Sequence, residues 1–173
     1  MALPIAWVLW HQSYSWALGL FIVAGLSDGL DGWIARRFNW TTTLGAMLDP
    51  IGDKLLMTTS YLLLGWLGDL PAWLVILVIL RDAIIVTGAV FYRFLVGEVV
   101  FEAMFVSKLN TVLQILLVLV TLAMLSGLSL VDTIQPLLIY ITAISTIVSG
   151  ISYIIVWGRK AGKTQQPMNP HEH

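Results

Sequence analysis

Met104-Phe105-Val106-Ser107-Lys108-Leu109-Asn110-Thr111-Val112-Leu113-Gln114-Ile115-Leu116-Leu117-Val118-Leu119-Val120-Thr121-Leu122-Ala123-Met124-Leu125-Ser126 is a run whose only charge, Lys108, stands near its start. A helix rises about 1.5 Å per residue, so a run of this length covers the roughly 30 Å hydrocarbon core of a bilayer. Comparable runs occupy residues 16–38, 44–67, 72–96 and 132–157. The fold class expected is therefore all-α, a polytopic transmembrane helix bundle with five full spans. Met1 to Trp10 is apolar but covers only about half of a bilayer, so it reads as a short N-terminal helical stub.

Composition agrees. The 173 residues are 58% hydrophobic and only 11% charged, with a mean hydropathy of +0.89. A soluble domain carries about a quarter charged residues, so a soluble fold is excluded. Residues 1–160 read as a single membrane domain with no room for a soluble one, and 161–173 as a polar, disordered tail. Trp16, Trp40, Trp66, Trp73 and Trp157 fall near the proposed span ends, as an interfacial aromatic belt requires. Cysteine is absent, which excludes disulfides and thiolate chemistry. The N-terminus lacks the basic region and the small-residue cleavage site of a signal peptide.

Charge sets the orientation. Arg36 and Arg37, then Arg93 and Lys108, then Arg159, Lys160 and Lys163 mark alternate connectors, whereas those around His11, Asp69 and Asp132 hold no Lys or Arg. By the positive-inside rule the ends near residues 40, 100 and 160 face the cytoplasm, or the matrix of a mitochondrion. The expected location is the bacterial cytoplasmic membrane, or the mitochondrial inner membrane in a eukaryote. No nucleic-acid partner is expected.

Ionisable residues inside a membrane helix cost at least ~2.5 kcal/mol each and mark function by default. Here they are Asp28, Asp31, Asp49, Asp53 and Asp82, with Lys54 and Arg81. Arg81 with Asp82, or Lys54 with a neighbouring acid, can pair structurally, but one lysine cannot balance four further carboxylates. Asp28, Asp31 and Ala35 share one helix face, and Gly45, Asp49 and Asp53 form a stripe on the next helix. A short turn through Asn39 to Thr43, with Thr41 or Thr42 as N-cap, lets both pairs of acids face each other near the cytoplasmic side. Converging carboxylates repel unless cations neutralise them, and an all-oxygen donor set suits Mg²⁺ or Mn²⁺ better than zinc. Two ions would serve a displacement at phosphorus. Gly32 and Ala35 leave room on this face, while Gly25 and Gly29 can serve close helix packing. Arg36 is either a bidentate donor to a phosphate or an anchor at the basic side; Arg37 reads as an anchor.

Asp31-Gly32, Ala35-Arg36, eight residues, Gly45, three residues, Asp49, three residues and Asp53 resemble the signature of the CDP-alcohol phosphatidyltransferases at every fixed position, and Asp28 supplies the acid that precedes it. The similarity extends over most of the chain. It implies metal ligation by Asp28, Asp31, Asp49 and Asp53, with Asp53 also the general base for the acceptor hydroxyl. It also implies a CDP moiety held against Asp28, Asp31, Gly32, Ala35, Arg36 and Gly45, and a homodimer. Members of that family usually have six spans, preceded by a segment resembling Asn-x-Pro-Asn-x-Leu-Thr-x-x-Arg. That segment is not present, and Met1 to Trp10 resembles the second half of the first helix, so either a truncated N-terminus or a misassigned start is expected.

Arg81-Asp82, Phe105 to Thr111 and Gly158-Arg159-Lys160 resemble the family's cardiolipin synthases that use CDP-diacylglycerol. Lys108 either holds a substrate phosphate or anchors its helix, and Arg81 is a second candidate for substrate binding. The expected reaction is transfer of a phosphatidyl group from CDP-diacylglycerol to phosphatidylglycerol, with release of CMP. Glycerol 3-phosphate is the alternative acceptor. As a small dianion it needs several convergent basic groups, whereas phosphatidylglycerol carries one phosphodiester charge and arrives laterally in the membrane. An ion-coupled transporter would explain the intramembrane acids but not the fixed Gly, Ala and Arg positions. A prenyltransferase would separate its two Asp motifs widely, and a structural subunit would not keep four unpaired acids. His171-Glu172-His173 reads as solvated tail and His11 as a surface residue.

Overall fold

The computed structural model describes residues 2–38, 43–96, 105–128 and 133–164, and over these the chain is helical, with no strand. Six helices follow in order: α1 (Ala2–Trp10), α2 (Tyr14–Phe38), α3 (Thr43–Leu67), α4 (Ala72–Val96), α5 (Phe105–Leu125) and α6 (Ile134–Thr164). The stub and the five long runs thus all appear as helices, close to their expected limits. α5 and the Ile134–Val156 part of α6 are long and apolar enough to cross a bilayer. α6 continues through residues 161–164, which the sequence reading assigned to the polar tail. Lys160 and Lys163 suit the negative end of a helix dipole, which favours this extension.

The helix ends follow from local chemistry. After α3, Gly68 takes φ 87°, and the N–H groups of Gly68 and Asp69 bond back to Gly65 and Leu64. After α5, Gly127 takes φ 97°, with Gly127 and Leu128 bonding back to Met124 and Ala123. Both are Schellman closures, in which a residue without Cβ adopts the left-handed conformation at no steric cost. Gln12 makes the same closure after α1 at φ 54°. Pro71 precedes α4, and its carbonyl accepts the first bonds, from Leu74 and Val75. Pro136 lies in the first turn of α6, where a missing N–H is harmless.

α1 packs on α2 and α3, α2 also on α5, α3 on α4, and α6 on both α4 and α5. The shared core takes Ile5 and Leu9 from α1, Phe21 and Ala24 from α2, Tyr61 and Leu64 from α3, Leu74 and Val78 from α4, Leu117 and Leu122 from α5, and Ile139 and Ala143 from α6. The opposite faces remain apolar and exposed, as at Trp16, Leu26, Ile76, Leu80, Leu137, Ile144 and Ile154. Where α3 meets α4, a Cβ at Gly65 would lie 2.7 Å from Val75 Cγ2. Gly65→Ala should therefore force the two helices apart at a cost of about 1–3 kcal/mol, read as a lowered thermal midpoint in detergent.

A polar seam divides α5 from α6. Asn110, Gln114 and Thr121 of α5 and Thr142, Thr146 and Ser149 of α6 are all buried. The Thr146 hydroxyl lies 2.9 Å from Asn110 Oδ1 and 2.7 Å from the Thr142 carbonyl. Tyr61 donates to the Gln114 carbonyl at 3.3 Å, tying α3 to α5. Interhelical bonds of this kind fix rotation and register where apolar packing alone would allow sliding.

At the other end of the bundle, the Tyr14 hydroxyl donates to Asp69 Oδ2 at 3.4 Å, and Gln135 Nε2 donates to the Asp69 carbonyl at 3.2 Å. Burial lifts the Asp69 carboxyl above its ordinary range, partly offset by the Tyr14 hydrogen bond. Burial also raises the Tyr14 phenol, with the Asp69 charge and hydrogen bond adding to it. The folded protein holds the Asp69 proton more tightly than the unfolded chain, so this group's contribution to stability falls as pH rises through the acidic range. Asp69→Asn should flatten the pH dependence of the thermal midpoint in the acidic range above about pH 4.

Candidate active site

α2 carries Asp28, Asp31, Gly32, Ala35 and Arg36, and α3 carries Gly45, Asp49 and Asp53. The signature thus straddles the C-terminal half of one helix and the N-terminal half of the next. The side chains of these eight residues lie outside the described set, as do residues 39–42, where the turn with its Thr41 or Thr42 cap is expected. Among the described residues no three metal-ligating side chains come together.

A charged cluster that is described begins one residue beyond Asp53. Lys54 Nζ of α3 lies 2.8 Å from Asp82 Oδ1 of α4, and Arg81 Nη1 lies 2.9 Å from the same oxygen. Arg81 is 5% exposed. Its Nε and Nη2 donate to Ser149 Oγ of α6 at 3.2 and 2.7 Å, and Nη2 also to Ser107 Oγ of α5 at 2.6 Å. The guanidinium lies 5.9 Å from the centre of the Tyr153 ring, within range of a cation–π contact. Gly150 brings the α6 backbone close to the arginine stem, such that a Cβ there would meet Arg81 Cγ at 3.7 Å.

One carboxylate is therefore shared by two cations, leaving a cluster of net charge +1 bound to four helices. A buried guanidinium needs this many acceptors, because each N–H without one would keep its full desolvation cost. Both pairings considered from sequence, Arg81 with Asp82 and Lys54 with a nearby acid, are present. Ser107 and Ser149 were not singled out for this role. Ser107 did fall within the segment resembling cardiolipin synthases, whereas Ser149 had no local signal. Lys108, next to Ser107, is exposed on the first turn of α5. Gln114 is buried, and its backbone carbonyl accepts from Tyr61.

The signature on two consecutive helices points to one class of enzyme, and comparison with known proteins agrees. The model of the CDP-alcohol phosphatidyltransferase family matches residues 1–151. The chain belongs to the CDP-alcohol phosphatidyltransferase family. It is 30% identical over 177 residues to human cardiolipin synthase (CMP-forming), a match covering 92% of this chain and 58% of that protein. It is 36% identical over 135 residues to the CDP-diacylglycerol--glycerol-3-phosphate 3-phosphatidyltransferase of Bacillus subtilis, covering 78% and 69%. With the enzyme of that name from Rickettsia typhi it shares 34% identity over 162 residues, 88% of each chain. The chain spans a little over half the length of the human and rat cardiolipin synthases that it matches.

Proposed function

We propose that this protein is an integral membrane enzyme that transfers the phosphatidyl group of CDP-diacylglycerol to an alcohol, releasing CMP, with phosphatidylglycerol as the acceptor. The observation that carries the reading is the complete signature, Asp28 and Asp31 to Asp53, on two consecutive helices of a chain that belongs to this family. Asp31 precedes the end of α2 by seven residues and Asp49 follows the start of α3 by six, so each lies about 10 Å along its helix from the short connector. An antiparallel hairpin brings the two pairs to one level.

Five spans in a membrane account for the apolar side chains exposed around the bundle, such as Leu80, Leu137 and Ile144. The site then opens to the cytoplasmic or matrix side, where Arg36 and Arg159 lie. A homodimer follows from the family resemblance, and a cross-linked species of twice the chain mass would register it.

The donor set fits a hard divalent cation. Lys54, the only lysine of α2 or α3, is engaged by Asp82 at 2.8 Å. Asp28, Asp31, Asp49 and Asp53 would hold one or two Mg²⁺ or Mn²⁺ ions, which neutralise their mutual repulsion. When bound, these ions neutralise charge on the diphosphate. Arg36 holds a phosphate oxygen of the donor, and Gly32, Ala35 and Gly45 leave room for its cytidine. Asp53 takes the proton from the acceptor hydroxyl as that oxygen attacks the phosphorus bearing the lipid, and CMP departs.

Phosphatidylglycerol is favoured over glycerol 3-phosphate on charge. Lys54 and Arg81 already share Asp82, so Lys108 and the residual positive charge of the Arg81 cluster remain for the acceptor phosphate. One phosphodiester matches that supply better than a small dianion does. The second reading, glycerol 3-phosphate, draws on the named activity of the Bacillus subtilis and Rickettsia relatives. The purified protein, given CDP-diacylglycerol, Mg²⁺ or Mn²⁺ and each acceptor separately, should yield cardiolipin from phosphatidylglycerol. Phosphatidylglycerophosphate from glycerol 3-phosphate, with no cardiolipin, would reverse the choice of acceptor.

A further inference from the structure

The contact of Lys54 with Asp82 has a consequence for its neighbour on α3. Lys54 is the twelfth residue of α3 and Asp82 the eleventh of α4, so the pair joins the two helices near their midpoints. Asp82 is itself anchored by Arg81, which Ser107 and Ser149 tie to α5 and α6. Lys54 is thus held against a post fixed on three helices. A helix can rotate about its axis and slide along it, and apolar packing resists both only weakly. The Lys54–Asp82 pair, with side-chain exposures of 42% and 16%, opposes both, because either motion would stretch its 2.8 Å contact. Asp53 is covalently next to Lys54, so whatever fixes the backbone at 54 fixes it at 53.

We propose that Lys54 and Asp82 are positioning residues for Asp53, setting the rotation and depth of α3 so that the Asp53 carboxylate is presented to the metal. This rests on the reading of Asp53 as a metal ligand, and the test can separate the two ideas. Mn²⁺ binding to the full chain in detergent is measured by electron paramagnetic resonance for the wild type, Lys54→Met and Lys54→Arg. By charge alone, removing a cation beside a carboxylate site should tighten metal binding. The positioning role predicts the opposite sign: Lys54→Met should weaken Mn²⁺ binding about ten-fold, the scale seen when a group that orients a ligand is lost. Lys54→Arg, which can still reach Asp82, should restore it.

Thermal midpoints report whether each variant is folded, and Lys54→Gln takes the place of Lys54→Met if that variant is not. Unchanged or tighter Mn²⁺ binding in the folded neutral variant would overturn the positioning role and leave the metal site standing. No Mn²⁺ binding by the wild type would overturn both.

Discussion

Asp53→Asn is expected to lower turnover by roughly 10²–10⁴-fold, the usual contribution of a positioned general base. The amide keeps an oxygen for the metal but cannot accept the proton of the acceptor hydroxyl. Donor affinity should therefore change much less than turnover, a split visible in steady-state CMP release as a fall in kcat with KM for CDP-diacylglycerol nearly constant. Asp31→Asn should behave differently, weakening metal and donor binding together. Near wild-type turnover of Asp53→Asn at saturating metal would remove the assignment of the base.

Arg81→Met is expected to have the largest effect on stability, about 3 kcal/mol, because it takes away the buried cation of a pair and leaves its partners behind. Asp82 keeps Lys54, but the two hydroxyls that face the guanidinium, Ser107 and Ser149, lose their donor. Arg81→Lys should recover only part of the loss, since an ammonium cannot serve Asp82, Ser107 and Ser149 with a planar fork. Denaturant unfolding in detergent measures both. A substrate-binding role for Arg81 would show separately, as a raised acceptor KM in protein that remains folded.

The helices were legible because their causes are local. Each long run is apolar, and Gly68, Pro71, Gly127 and Pro136 stand where the chain must stop or restart. The extension of α6 past residue 160 was not, since a polar, basic segment reads the same as tail or as the last turns of a helix. The acids of the signature stand out in the sequence by their spacing, and the structure describes the helices that carry them but not their side chains. The clamp around Arg81 was only half legible. Asp82 is adjacent in sequence, but Ser107 and Ser149 come from 26 and 68 residues away, and only the packing of α6 on both α4 and α5 brings them in. The small polar residues of α5 and α6 gave no hint that Asn110 and Thr146 would face each other across a seam, because either could equally face lipid or a neighbour.

The most direct test of the central claim is CMP release by the purified full chain from CDP-diacylglycerol and phosphatidylglycerol, with Mg²⁺ or Mn²⁺ supplied and then removed by chelation. The account predicts CMP and a matching amount of phosphatidyl-transfer product with metal, loss of both on chelation, and recovery when metal is restored. CMP release that persists unchanged without divalent metal, or no CMP release with either acceptor at any metal concentration, would contradict it.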